Sequence, residues 1–147
     1  MHSYRALLIN CMDPRLQGEN KIKIAQTVGL KSGEYEVLTY AGPSLWMTKP
    51  HESSHADNFW WLLENVSLKV HGIKEVVIVG HSNCGGFALK GAPQNPAEEK
   101  KVIIDSLKSA RRAVLAKYPE LEVKLIFVKI DEHKGEGLPK IQTEIIA

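Results

Sequence analysis

The sequence predicts an α/β fold: a mainly parallel β-sheet flanked by helices, formed as a single domain by residues 1–147. Three observations carry this. Short apolar, β-branched runs such as Val76-Val77-Ile78-Val79 read as strands that must be covered on both faces. Segments with helical apolar spacing separate them, and strands alternating with helices imply right-handed crossovers and parallel pairing. A chain of 147 residues suffices for one such domain and leaves no room for a second.

Each element has its own warrant. Arg5 to Asn10 contains the continuous apolar run Ala6-Leu7-Leu8-Ile9, a buried strand. Asn20 to Val28 carries Ile22, Ala25 and Val28 at helical spacing, with Gly29 as its C-terminal cap. Glu36 to Tyr40 is a second short strand. Asp57 to Val70 is a helix with Phe59, Leu62, Leu63, Val66 and Val70 as its apolar stripe. Asn95-Pro96-Ala97-Glu98 supplies a cap, a first-turn proline and an acidic third position. The helix that follows runs to about Lys117, lined by Val102, Ile103, Leu107, Ala110 and Val114, and Pro119 stops it. Glu122 to Ile130 is a fourth strand, and the tail from Leu138 to Ile146 is an edge strand.

Composition excludes several functions. The chain is 44% apolar and 24% charged, a globular balance. Its 19 basic and 17 acidic residues give +2, with no basic stripe that would serve a nucleic acid. No apolar run approaches the ~20 residues of a membrane span. Ala6 to Ile9 is too short for a signal-peptide core. A cytoplasmic protein is therefore expected, and its two cysteines read as free thiols, metal ligands or reactive groups rather than a disulfide framework.

In parallel sheets the chemistry sits beyond the carboxyl ends of the strands. Two loops there hold both cysteines. The first reads Cys11-Met12-Asp13-Pro14-Arg15. Pro14 disfavours a helical Asp13, so an extended segment is expected, with Cys11, Asp13 and Arg15 on one face. The second reads His81-Ser82-Asn83-Cys84-Gly85-Gly86, where His and Cys three residues apart reach one ion as the chain turns. Two thiolates and an imidazole suit zinc, and three protein ligands leave a fourth position open for chemistry. Asp13 either fills that position or holds the water that does; pairing with Arg15 favours the second role. Taken singly, each residue has a plainer reading as a small core thiol, a loop histidine or a surface ion pair. Their convergence on two strand ends favours the metal site.

Cys11-x-Asp13-x-Arg15 followed by His81-x-x-Cys84-Gly85 resembles the motif pair of the β-class carbonic anhydrases. Ala41-Gly42 and Val77-Ile78-Val79-Gly80-His81 are similar to that family's adjoining segments, so the resemblance covers Ala6 to Gly86 well and the last third in outline. It implies one zinc ion per chain bound by Cys11, His81 and Cys84. It also implies reversible hydration of CO2 to bicarbonate by a zinc-bound hydroxide, with Asp13 and Arg15 as the catalytic dyad. The chain differs in having Thr39-Tyr40 where the family usually has Arg-Asn, and Asn83 where Asp is frequent. It starts directly at its first strand, as a compact member without an N-terminal helical arm.

The alternatives are hydrolysis of COS or CS2 on the same scaffold, and a non-catalytic zinc module closed by Asp13. A thiol-phosphatase or rhodanese-like reading is disfavoured, because Cys84 leads to Lys90 where that motif needs Arg. His51 and His55 are candidate proton shuttles, with surface solvation the plainer role. Phe59, Trp60 and Trp61 adjoin one another, and two neighbouring Trp cannot both face the core. This and the resemblance lead to an expected homodimer or higher homo-oligomer.

Overall fold

A computed structural model of the chain describes residues 2–48, 53–133 and 135–147. The strands are β1 (Ala6–Cys11), β2 (Tyr35–Tyr40), β3 (Glu75–His81), β4 (Glu122–Ile130) and β5 (Ile141–Ile146). The helices are α1 (Gly18–Thr27), α2 (Pro43–Met47), α3 (Ser53–Leu62), α4 (Gly85–Leu89) and α5 (Pro96–Lys117). The sheet order is β2-β1-β3-β4-β5. The first four strands are parallel, and β5 is antiparallel on the edge of β4, with Ile141 opposite Ile130. The predicted mainly parallel sheet with flanking helices is therefore the observed fold.

β1 and β3 are buried along their whole length, as continuous apolar runs between two helical layers should be. Gly80 lets α5 pack closely on β3: a Cβ there would stand 2.6 Å from the Ile103 side chain. α5 begins as its sequence requires, with the Asn95 side chain accepting the backbone N–H groups of Ala97 and Glu98. Ile103, Leu107, Ala110 and Val114 are buried, whereas the predicted Val102 is largely exposed.

Two helical stripes differ from expectation. α1 starts at Gly18 and buries Asn20, Ile24 and Ala25, which turns Ile22 outward. The helix predicted over Asp57 to Val70 is α helical only to Leu62 and then widens into a π turn over Leu63–Leu68. Its longer bonds include His71 N–H to the Val66 carbonyl at 2.9 Å. The register slips accordingly. Ala56, Phe59, Leu63 and Ser67 face inward, while Val70 is exposed.

At the amino end of β3, Glu75 is buried between two basic side chains. It accepts from Arg5 Nε at 3.1 Å and from Lys124 Nζ at 2.6 Å, and the carboxylate holds the Lys124 ammonium above its usual range. The opposite end of the sheet carries the cysteines.

Candidate metal centre

The chain runs from β1 to β2 on one side and returns to β3 on the other, so the strand order reverses between β1 and β3. A crevice opens at the carboxyl ends of the strands at such a point. Cys11 is the last residue of β1 and His81 the last of β3. Cys84 follows as the cap of α4. Their ligand atoms lie within 4.8 Å of one another, and all three side chains are buried.

The donor set fits a tetrahedral metal ion. Two thiolates on one zinc, each at ~2.3 Å, stand roughly 3.8 Å apart; Cys11 Sγ and Cys84 Sγ are 4.0 Å apart. The His81 ring is fixed by Nδ1, which lies 2.8 Å from the Ser82 carbonyl oxygen. That contact makes Nδ1 the donor and leaves the lone pair on Nε2, which is buried and has no hydrogen-bond partner among the described residues. An orphaned buried acceptor beside two thiols is what an ion-binding imidazole requires.

The two thiols share a proton unequally. The Cys84 side chain hydrogen-bonds to Cys11 and draws its pKa down to about 4 against the opposing effect of burial. Cys84 is pushed up, first by that same interaction and then by burial.

Asp13 is extended at φ −52° and ψ 125°, as Pro14 demands. The expected extended run to Arg15 is corrected here. Pro14–Leu16 forms a single 3-10 turn, capped by the Asp13 carboxylate on the Arg15 backbone N–H at 2.9 Å. The turn folds Arg15 back onto Asp13, with Nε to Oδ1 at 3.0 Å and Nη2 to Oδ2 at 2.6 Å. Arg15 thereby lowers the pKa of Asp13. Reciprocally, Asp13 raises that of Arg15. Arg15 thus bonds to both carboxylate oxygens, and Oδ2 keeps acceptor capacity for a further donor.

Polar side chains that the sequence reading did not single out hold this corner. Gln17 Nε2 donates to the Cys11 carbonyl at 2.8 Å, and Asn20 Nδ2 to the Arg15 carbonyl at 2.8 Å. Asn10 Nδ2 reaches the Leu16 carbonyl at 3.1 Å. Nothing in residue type or spacing marks them; their partners lie on the unanticipated 3-10 turn, at the end of β1 and at Pro139, which only the fold brings together. Ala41-Gly42 packs where α4 begins, so close that a Cβ on Gly86 would meet the Ala41 backbone at 2.6 Å. A Cβ on the neighbouring Gly85 would meet nothing within 4 Å among the described residues. A cavity of about 840 Å³ lies behind the second loop, bordered by Ser82, Asn83, Glu99 and Phe127. His51 lies outside the described residues, and of His55 only the backbone, in α3, is described.

Fold and donor set together define the class: a doubly wound α/β protein with a Cys-His-Cys cluster able to hold a metal ion at its switch point. The model of a family described as "Putative carbonic anhydrase" matches residues 1–135, and the chain belongs to that family. A relative from Rickettsia bellii (strain RML369-C), an uncharacterized protein, is 24% identical over 128 residues, spanning 85% of this chain and 76% of the relative. Among solved structures, one from work on two tetrameric β-carbonic anhydrases of the filamentous ascomycete Sordaria macrospora superposes with a TM-score of 0.56. Its identity is 13%, covering 88% of this chain and 77% of that one. A β-carbonic anhydrase of the fungal pathogen Aspergillus fumigatus gives 0.53 at 16% identity, covering 87% and 72%. The fold is that of the β-carbonic anhydrases.

Proposed function

We propose that the protein hydrates CO2 reversibly to bicarbonate and a proton, using one zinc ion held by Cys11, His81 and Cys84. The observation that carries this reading is the thiol pair 4.0 Å apart facing an imidazole whose Nε2 has no other partner among the described residues. Zinc bound there would supply Lewis acidity, bringing a water to a pKa of about 7.

The chain's own groups do the rest. Asp13, kept ionised by Arg15, accepts the hydrogen bond of the attacking water and orients it toward the carbon of CO2. Arg15 holds both carboxylate oxygens, so Asp13 is retained as an acceptor instead of closing the coordination sphere. That supports the open catalytic site over the closed zinc module. We further propose a cytoplasmic homo-oligomer, of which a dimer is the simplest form; no helix among the described residues is long and apolar enough to cross a membrane.

Exchange of 18O between CO2 and water, followed by mass spectrometry, tests the reaction, and release of H2S from COS tests the rival substrate. Fast exchange with slow H2S release supports the reading. H2S release without exchange would transfer the site to COS hydrolysis, and neither activity in zinc-replete protein would leave a non-catalytic module.

A further inference from the structure

We propose that Glu99 is a positioning residue for the Asp13–Arg15 pair, acting across the second loop through the Asn83 peptide; this rests on the reading above. Asn83 is the one non-glycine among the described residues with positive φ, at 54°. Asparagine tolerates that left-handed conformation better than most residues, yet something must hold it there. It is clamped from both sides. Its N–H donates to Glu99 Oε1 at 2.9 Å, and its carbonyl accepts from Arg15 Nη2 at 3.0 Å.

The clamp has a rigid base. Glu99 stands in the first turn of α5, its own N–H on the Asn95 carbonyl at 2.8 Å. The 22-residue helix is seated on Gly80 by Ile103 and Leu107. Ser82 is fastened independently, N–H to the Val128 carbonyl at 2.9 Å and Oγ accepting the Ile130 N–H at 2.9 Å. Asn83 is therefore the link whose orientation is still open, and a charge-assisted bond from Glu99 sets it.

The consequence falls on Arg15. Its bonds to Asp13 lie within one turn and move with it; the bond to Asn83 ties that turn to the loop carrying Cys84. Without Glu99, the Asn83 backbone loses one of its two clamps, and its carbonyl is no longer held toward Arg15 Nη2. The carboxylate then loses its registry with the metal ligands, while the ligands themselves, the fold and the Asp13–Arg15 pair remain. Glu99 touches none of those groups, so its removal leaves metal content unchanged.

Glu99→Ala and Glu99→Gln, each zinc-quantified and with its melting temperature measured, test the link. We expect Glu99→Ala to keep its zinc and lose roughly tenfold to a hundredfold in kcat, with KM little changed. Glu99→Gln retains an acceptor for the Asn83 N–H and recovers most of the loss. In an Arg15→Ala background, Glu99→Ala costs nothing more. The 15N–1H signals of the Asn83 amide and Arg15 Nε both move in Glu99→Ala. That readout needs no turnover, so it decides the link even if the wild-type protein hydrates no CO2. An unmoved Arg15 signal, wild-type kcat in Glu99→Ala, or a full additional loss in the Arg15→Ala background would overturn the proposal.

Discussion

Cys11 Sγ and Cys84 Sγ lie 4.0 Å apart although 73 positions separate them in the chain. Parallel strands β1 and β3, hydrogen-bonded neighbours, end at the same height and bring them there. Substituting either thiol by Ser, or His81 by Ala, should reduce bound zinc well below one per chain while the sheet persists. Elemental analysis with circular dichroism checks this; full zinc occupancy in Cys84→Ser would remove it from the ligand set.

The unequal sharing of protons between the thiols predicts about one thiolate per chain in metal-free protein at pH 7. Cys11 has its pKa lowered from 9.0 to about 4 by folding. Its contribution to stability is therefore complete above the ordinary thiol range and is lost as pH falls through about 4. Ultraviolet thiolate absorption across an acid titration measures it. Two thiolates at pH 7, or none, would contradict the arrangement.

Asp13→Asn and Arg15→Ala should each lose most CO2 hydration, on the order of a hundredfold, while keeping zinc and fold. The side-chain amide introduced by Asp13→Asn would place a donor where an acceptor is needed. Near-wild-type turnover in either variant would remove the pair from the reaction. Arg15→Ala also releases the carboxylate, and a crystal structure would show whether Asp13 then turns to the metal.

Gly86→Ala tests the packing beneath the ligands. Its Cβ would meet the Ala41 carbonyl carbon and oxygen at 2.6 Å, so backbone must move. A loss of about 1–3 kcal/mol in stability, together with weaker zinc retention, is expected. Gly85→Ala, with nothing near it, is the control and should change neither. Removing the Glu75 carboxylate by Glu75→Ala should cost about 1–3 kcal/mol at the far end of the sheet, because two charge-assisted hydrogen bonds, from Arg5 and Lys124, are lost. Urea denaturation measures both.

The strands, α5 and the two loops that bring Cys11, His81 and Cys84 together were legible because their signals are local: apolar runs, a capping Asn-Pro, and Cys and His at strand ends. The bounds of β4 and the edge position of β5 follow from the same cues. The 3-10 turn after Pro14 was not legible, since its cap is the very carboxylate that an extended reading assigned to one wall with Arg15. Nor was the π turn, whose longer bonds depend on packing against the sheet and defeat a 3.6-residue stripe. The short helices α2 and α4 are one turn each, too brief for periodicity. Glu99 was not singled out, the acidic first-turn residue read from the sequence being its neighbour Glu98; the fold alone brings Glu99 to Asn83.

Assembly rests on the same helix that misled the stripe. Trp60 is partly covered by its own chain, edge-on to Phe59 with ring centroids 4.9 Å apart and with Lys117 Nζ 4.3 Å from its ring centroid. Trp61 remains 60% exposed. A second copy of the chain is the cover we expect. Light scattering at micromolar concentration should give a multiple of 16.4 kDa; a single-chain mass in protein that hydrates CO2 would refute it.

The central claim, a zinc site turned to CO2 by Asp13 and Arg15, is met most directly by stopped-flow CO2 hydration on protein of known metal content. Turnover should rise in proportion to bound zinc, vanish on chelation, return when zinc is restored, and stay near background in zinc-replete Asp13→Asn. Hydration that is independent of zinc, or absent from zinc-replete wild-type protein, would contradict it.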